Sequence, residues 1–335
     1  MTDFFVNFIN PEKRLFVGYL ISAALIALIW LRVINKKPLT EIVSGFFSTQ
    51  VWLSKSALAD YKLMVINQFF IKILAPILIG QLALTVFIFE NMHLLFSRPS
   101  SSIPVWMVMI IFTTVLFVLD DFSRYFLHRL MHRVPILWRF HKAHHSATNL
   151  TPLTVLRTHP IEAILFSLRA VIVHSLCLGV CFFFFAESVS LIEIFGSSVF
   201  VVIFHSIGSN LRHSHVNLSY WSWLEKILVS PAQHQLHHSA SPEHFDKNFG
   251  VAFACWDLLH RTHSFSQARQ VTYGLSGNAN DGNSKQTLSH LLLAPIVATY
   301  SLLNHFACLV ASMAYTRVGK IISWTRLVRV KQIAR

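Results

Sequence analysis

Apolar stretches long enough to cross a bilayer recur along this chain, and they constrain it more than any other feature: Leu15 to Ile34, Ile71 to Phe89, Val105 to Leu127, Ile161 to Phe185 and Ser188 to Ile207. A hydrocarbon core of ~30 Å takes about 20 residues as helix. Inside it every backbone N–H and C=O must be satisfied within the protein, which a helix does by itself. The chain is 54% hydrophobic and 13% charged with mean hydropathy +0.53, values that exclude an ordinary soluble domain. The expected fold is all-α, a polytopic membrane helical bundle with a cytoplasmic helical cap. The last two stretches are expected to form a hairpin turning at Ala186 and Glu187.

Positive charge sets the orientation. Lys36, Lys37, Lys55 and Lys62 follow the first span, and Arg129, Arg133, Arg139, Lys142 and Arg157 follow the third, whereas Glu90 to Ser102 holds only Arg98. By the positive-inside rule those two connections face the cytoplasm. Leu15 to Ile34 is too long for the apolar region of a signal peptide and no small-residue cleavage site follows it, so no cleaved leader is expected. Leu291 to Tyr315 is expected to re-enter the membrane or lie at its surface, which keeps Arg317, Lys320, Arg326, Arg329, Lys331 and Arg335 on the cytoplasmic leaflet. The net charge of +13 thereby serves topology and lipid contact; without a soluble basic domain it does not indicate nucleic acid.

Histidines are clustered at the polar ends of these stretches: His128 and His132; His141, His144 and His145; His234, His237 and His238. On a helix, residues three or four apart share a face, so each cluster is expected to aim its imidazoles into one small volume. Imidazole is a borderline donor suited to iron, zinc, copper or nickel, and it binds when neutral. One zinc-like ion takes about three or four such ligands, so this number suits two ions with positions left open. The cysteines do not adjoin the clusters; Cys177 and Cys181 sit four apart in an apolar run and read as buried free thiols.

The order HRxxH, HxxHH, HxxHH resembles the fatty acid hydroxylase and sterol desaturase superfamily, integral-membrane non-haem di-iron oxygenases. The flanks agree: Asp121 lies seven residues before His128, Arg157-Thr-His159-Pro160-Ile-Glu162 resembles the family's HP stretch, and Ser230-Pro-Ala-Gln-His234, Asp246-Lys247-Asn248-Phe249-Gly250 and Trp256-Asp257 resemble the segments around and after the last box. The resemblance covers roughly Val115 to Thr262.

That resemblance implies two iron ions, dioxygen as co-substrate, and attack on an unactivated C–H bond of a lipid drawn from the bilayer. Hydroxylation is the expected outcome, with desaturation or ether/methyl oxidation as alternatives. Electrons are expected from a separate donor, a reductase with cytochrome b5, ferredoxin or similar, because the chain shows no haem or flavin motif. The implied ligands are His128, His132, His141, His144, His145, His234, His237 and His238, with His213 at a position resembling a further family histidine. His159, His205 and His215 are contenders as ligands or supports of ligands, and Asp121, Asp246 and Asp257 as carboxylates that orient an imidazole or brace the cap. Arg169 is expected to snorkel, His174 to bond a neighbouring helix, and Phe182 to Phe185 to face lipid. The expected organisation is 1–103 as membrane helices and loops, 104–275 as the catalytic domain, 276–290 as linker and 291–335 as the hydrophobic hairpin with its basic tail. The rival reading is a metal-binding membrane protein without redox chemistry, such as a zinc transporter, although transporters bring ionisable residues to the bilayer midplane.

Overall fold

The computed structural model of the chain describes residues 2–73, 75–97, 103–185, 189–194, 197–267, 271–275 and 286–308. Its helices are α1 (Thr2–Ile9), α2 (Val17–Ile29, extended by one π turn to Ile34), α3 (Leu39–Phe46), α4 (Thr49–Trp52), α5 (Lys55–Ile73), α6 (Ala75–Leu95), α7 (Val105–Arg133), α8 (Pro135–His145), α9 (Pro160–Phe185), α10 (Val199–Ser206), α11 (Pro231–His237), α12 (Cys255–Leu259) and α13 (Leu288–Cys308). Strands β1 (Glu193–Ile194) and β2 (Ser197–Ser198) form one short antiparallel pair. Four helical stretches, Val17–Ile34, α7, α9 and α13, are long and apolar enough to cross a membrane, and the chain is an integral membrane protein.

Helix α7 is the central rod. Its 29 residues span about 43 Å at 1.5 Å per residue, more than the ~30 Å hydrocarbon core, so its last turns project beyond the apolar zone. It ends where Val134, preceding a proline, takes an extended conformation (φ −95°, ψ 116°), and Pro135 opens α8 at the first position, where no N–H is needed. Helix α9 starts beside the projecting end and packs along α6. Gly179 permits that approach, since a Cβ there would lie 2.8 Å from Ile88 Cγ2 and 3.1 Å from the Thr85 carbonyl. Ser175 Oγ, lower on the same seam, donates to the Gln81 carbonyl at 2.9 Å.

Several expectations for the membrane region are corrected. The stretch expected from Ile71 to Phe89 falls on the end of α5 and on α6, with residue 74 between them outside the described residues. Ser188 to Ile207 is not a fifth crossing helix. Among the described residues of that stretch only Val199–Ser206 is helical, about 12 Å of rod; ahead of it β1 and β2 pair antiparallel and the Ile192 N–H is satisfied by Thr113 Oγ1 at 3.0 Å. Arg169 does not snorkel: it pairs with Asp120 of α7 at 2.8 Å and donates to Ser123. His174 meets the same carboxylate at 3.3 Å, a bond to the neighbouring helix as expected. Within the phenylalanine run, Phe183 is buried against His93, with ring centroids 5.0 Å apart. Cys177 and Cys181 are buried free thiols. Helix α13 is continuous to Cys308; the turn and basic tail expected beyond it, and residues 276–285 of the expected linker, lie outside the described residues.

The cap is joined to the helices through one buried cation. Arg157 is fully buried and pairs with Asp60 of α5 at 2.8 Å. Its remaining donors go to the carbonyls of Ser56 and Ala143, to Ser146 Oγ and to Gln286 Oε1, so a single guanidinium ties α5, α8 and the approach to α13 together. Gln286, expected in a linker, is thereby packed. Removing one partner of a buried ion pair leaves the other charge without compensation. Asp60→Ala is expected to lower stability by about 3–5 kcal/mol, read as a fall in the melting temperature of the detergent-solubilised protein; an unchanged melting temperature would show that Arg157 does not fasten the cap.

Candidate metal centre

Short helices with firm starts place the histidines. The projecting end of α7 carries His128 and His132 on one face, and α8 carries His141, His144 and His145. Helix α11 is only seven residues long, but Ser230 Oγ accepts from the Gln233 N–H at 3.1 Å while Gln233 Oε1 accepts from the Ser230 N–H at 2.9 Å, and Pro231 fills the first turn. That capping box fixes His234, His237 and His238. His213 closes a 3-10 turn, Ser209–His213, packed against α11.

These side chains form two nests. His128, His132, His141, His145 and His237 make one; His144, His213, His234 and His238 make the other, and within each nest the candidate donor atoms all lie within 4.8 Å of one another. The expectation that each cluster fills one volume is therefore corrected for the two HxxHH boxes. In α8 the i, i+4 pair His141 and His145 enters the first nest and His144 the second; in α11 and its cap the pair His234 and His238 enters the second and His237 the first. Each box bridges both nests.

The nitrogens meet in a way that requires a cation. His128 Nδ1 lies 2.8 Å from the Phe249 carbonyl and His237 Nδ1 lies 2.8 Å from the Lys247 carbonyl. A carbonyl only accepts, so both Nδ1 atoms carry the proton and both Nε2 atoms of the neutral rings are bare. Those bare atoms face each other at 3.0 Å. In the second nest the Nε2 atom of His213 is 3.2 Å from that of His144, 3.2 Å from that of His238 and 3.1 Å from that of His234. Metal–imidazole bonds of about 2.1 Å place neighbouring ligand nitrogens roughly 3.0–3.4 Å apart. The donor sets fit metal ions. Protonation is opposed: burial first, and neighbouring imidazoles second, hold His144, His145, His213, His234 and His238 well below the ordinary histidine value, and burial lowers His237 to about 3.

The ring orientations are held from outside the nests. Asp246 and Asn248 adopt left-handed backbone conformations (φ 57° and 55°), and between and after them the Lys247 and Phe249 carbonyls turn toward His237 and His128. Aspartate and asparagine tolerate that region better than other side-chain-bearing residues. Asp257 fastens the turn by accepting from the N–H groups of Phe249 and Gly250, at 3.0 and 2.7 Å, and from Thr262 Oγ1. Gly250 leaves no room for a Cβ, which would come within 2.6 Å of the Phe253 carbonyl. Asp121 accepts from the N–H groups of Ala252 and Phe253 and from Trp256 Nε1, clamping the following segment to α7. Asp121 and Asp257 thus touch no imidazole and act as braces. Asp246 lies 4.0 Å from His132 Nδ1 and 3.9 Å from Arg133, and is half-exposed.

Three contenders stand apart from both nests. His159 Nε2 bonds the Leu292 carbonyl of α13, His205 Nδ1 bonds Ser209 Oγ and its ring packs on Tyr19, and His215 packs against Phe46. Glu162, which closes the HP stretch and was given no role from the sequence, is buried in the first turn of α9 and meets His141 Nδ1 at 2.8 Å. Its signals were that stretch and its place as a lone carboxylate opening an apolar helix. Arg157 has a second duty, since its carbonyl lies 3.2 Å from His144 Nδ1. Beside the first nest a cavity of about 400 Å³ opens to the surface, lined by His132, His145 and His237 together with Trp138, Lys142 and Asp246.

Paired nests of histidines at the end of membrane-length helices define a helical membrane protein with two clusters that could hold metal ions. Residues 113–262 match the family model for fatty acid hydroxylase. The chain is similar to alkylglycerol monooxygenase of Homo sapiens (26% identical over 209 residues, 58% of this chain and 38% of that protein). It is also similar to ornithine lipid hydroxylase of Rhizobium tropici (28% over 166 residues, 49% and 46%) and to Delta(7)-sterol 5(6)-desaturase of Gibberella zeae (26% over 158 residues, 47% and 43%). The chain spans less than half the length of these relatives. No solved structure matches it significantly.

The depressed histidine values carry a pH dependence with a definite sign. Without metal, the folded protein keeps these rings neutral while the unfolded chain takes up protons near pH ~6.5. Their contribution to stability is present above that value and is lost as pH falls through it toward about 3. Chelator-treated protein is expected to melt at progressively lower temperature between pH 7 and pH 5; a flat profile would contradict neutral burial.

Proposed function

We propose that this protein is a membrane oxidoreductase that uses dioxygen to hydroxylate a C–H bond of a lipid, with two non-haem iron ions at the histidine nests. His128, His132, His141, His145 and His237 would hold one ion; His144, His213, His234 and His238 would hold the other. The observation that carries this reading is the convergence of imidazole nitrogens at 3.0–3.2 Å in two adjoining nests, with the bare Nε2 atoms of His128 and His237 facing each other in the first. Imidazole alone does not separate iron from zinc. The names of the relatives favour iron: a monooxygenase, a hydroxylase and a desaturase point to redox chemistry on a lipid, which zinc does not supply. When bound, the irons supply the activation of dioxygen that C–H hydroxylation requires.

The protein's own residues set geometry and access. Glu162 and the carbonyls of Phe249, Lys247 and Arg157 hold the ring planes, so the ligands do not have to reorganise when metal binds. Burial keeps water from most of the second nest, whereas the cavity by Trp138 gives the first nest an entrance of a size that admits part of a substrate. The Trp138 ring lies 4.9 Å from His132 and 5.5 Å from His145, which makes it the wall against which a reacting carbon would be positioned. Positive charge around the centre, from Arg129, Arg133, Arg139 and Lys142, supports a cytoplasmic active site reached by a separate electron donor. A second reading places the reaction at a carbon next to an ether oxygen. It is favoured by the alkylglycerol monooxygenases of four animals among the relatives.

Protein purified without chelator is expected to carry about two irons per chain by elemental analysis, as the two nests require; zinc alone, with no oxygen consumed under a suitable reductant, would refute the reading. His237→Ala is expected to abolish product while the protein stays membrane-inserted. Lipid extracts from cells with and without the gene should differ by gain of one oxygen; loss of two hydrogens would instead identify a desaturase.

A further inference from the structure

The two nests differ in the charges that stand behind their ligands. A buried carboxylate supports the five-histidine nest: Glu162 bonds His141 at 2.8 Å, whereas Asp246, 4.0 Å from His132, is half-exposed and shared with Arg133 at 3.9 Å. Behind the four-histidine nest stands a guanidinium. Arg14, just ahead of α2, places its Nη2 atom 3.5 Å from His213 Nδ1, held there by the Ser209 carbonyl at 2.9 Å and by Asn210 Oδ1 at 3.2 Å. Among the described residues no carboxylate pairs with Arg14. Arg212, also buried, adds positive charge on the same side, partly offset by Asp121. The Nδ1 atoms of His234 and His238 are buried without a hydrogen-bond partner, so these rings also lack the acceptors that raise ligand basicity in the first nest.

We propose that the two metal positions are unequal, the five-histidine nest binding first and tightly, and that Arg14 is a positioning residue that lowers the affinity of the four-histidine nest. This rests on the metal reading given above and adds to it an order of filling and a residue that sets it. The physical reason is Coulombic. A fixed cation behind a ligand opposes a dication at the other end of the same ring, in a site that is buried and weakly screened, whereas a carboxylate behind a ligand does the reverse. Arg14 also holds the backbone of the turn that carries His213, so it fixes the ligand it electrostatically penalises. It lies outside residues 113–262, which makes the N-terminal segment a determinant of the centre's behaviour.

Titration of the chelator-stripped full chain in detergent with Co2+, followed by absorption and by equilibrium dialysis, tests this. Two steps are expected, the first at least about tenfold tighter than the second, given the opposite charges behind the nests. His234→Ala should remove only the weak step and His132→Ala should remove the tight one. Arg14→Met should tighten the second step by about tenfold or more, while Arg14→Lys, which keeps the charge, should leave the two steps as far apart as in the unaltered protein. Glu162→Gln should weaken the first step, an independent arm if Arg14→Met fails to fold. Two equal steps, a weak step removed by His132→Ala, or an Arg14→Met protein with unaltered steps would each overturn the inference while leaving the metal reading intact. No Co2+ binding at all would overturn both.

Discussion

Neutral imidazoles that face each other with bare nitrogens at about 3 Å form an arrangement that is unfavourable until a cation lies between them, and the rest of the site is organised to hold them there. A neutral ring that presents a bare Nε2 inward carries its proton on Nδ1 and must donate that N–H to an acceptor on the outside, or leave it unsatisfied in a buried place. The structure supplies those acceptors one ring at a time, as backbone carbonyls for His128, His237 and His144 and as a carboxylate for His141. Supplying two carbonyls from one short turn takes left-handed backbone at Asp246 and Asn248, and that turn in turn needs Asp257 and Asp121 to pin its N–H groups. The buried acids of the cap follow from the needs of the ligand rings.

The division of each HxxHH box between two nests has a mechanical consequence. Because α8 and α11 each contribute to both positions, neither ion could shift without moving helices that also hold the other. Helix α7 contributes to the first nest alone, through two rings at the end of a rod anchored in the membrane. The first nest is therefore the one whose position is referred to the bilayer, and it is also the one with a cavity beside it.

Spacing made the boxes legible because an i, i+3 or i+4 relation needs only local helix, and each box lies on local helix. It could not show which nest a ring enters, since that depends on how α7, α8 and α11 meet. His213 has no box partner in the sequence and joins the centre through a 3-10 turn; only the family resemblance singled it out. His159, His205 and His215 look similar in the sequence but are spent on contacts to α13, Ser209 and Phe46. Apolar length was a good guide at α7 and α9 and a poor one at Ser188 to Ile207, where hydropathy does not register the β1–β2 pairing or the Ile192 N–H held by Thr113. Arg169 misled for a related reason: hydropathy treats an intramembrane cation as lipid-facing, whereas Asp120 on the neighbouring helix receives it.

The matched domain does not complete its own centre. Arg14 reaches His213 from the N-terminal side, Asp60 of α5 neutralises Arg157, whose carbonyl orients His144, and Gln286 satisfies the same guanidinium from the approach to α13. Each of these residues lies outside residues 113–262. The histidine boxes give such a protein its donor atoms, but the charge behind those atoms and the rigidity of their supports come from flanking segments. Chains that share the boxes can therefore differ in how tightly each position holds its ion through changes in residues that never touch the metal.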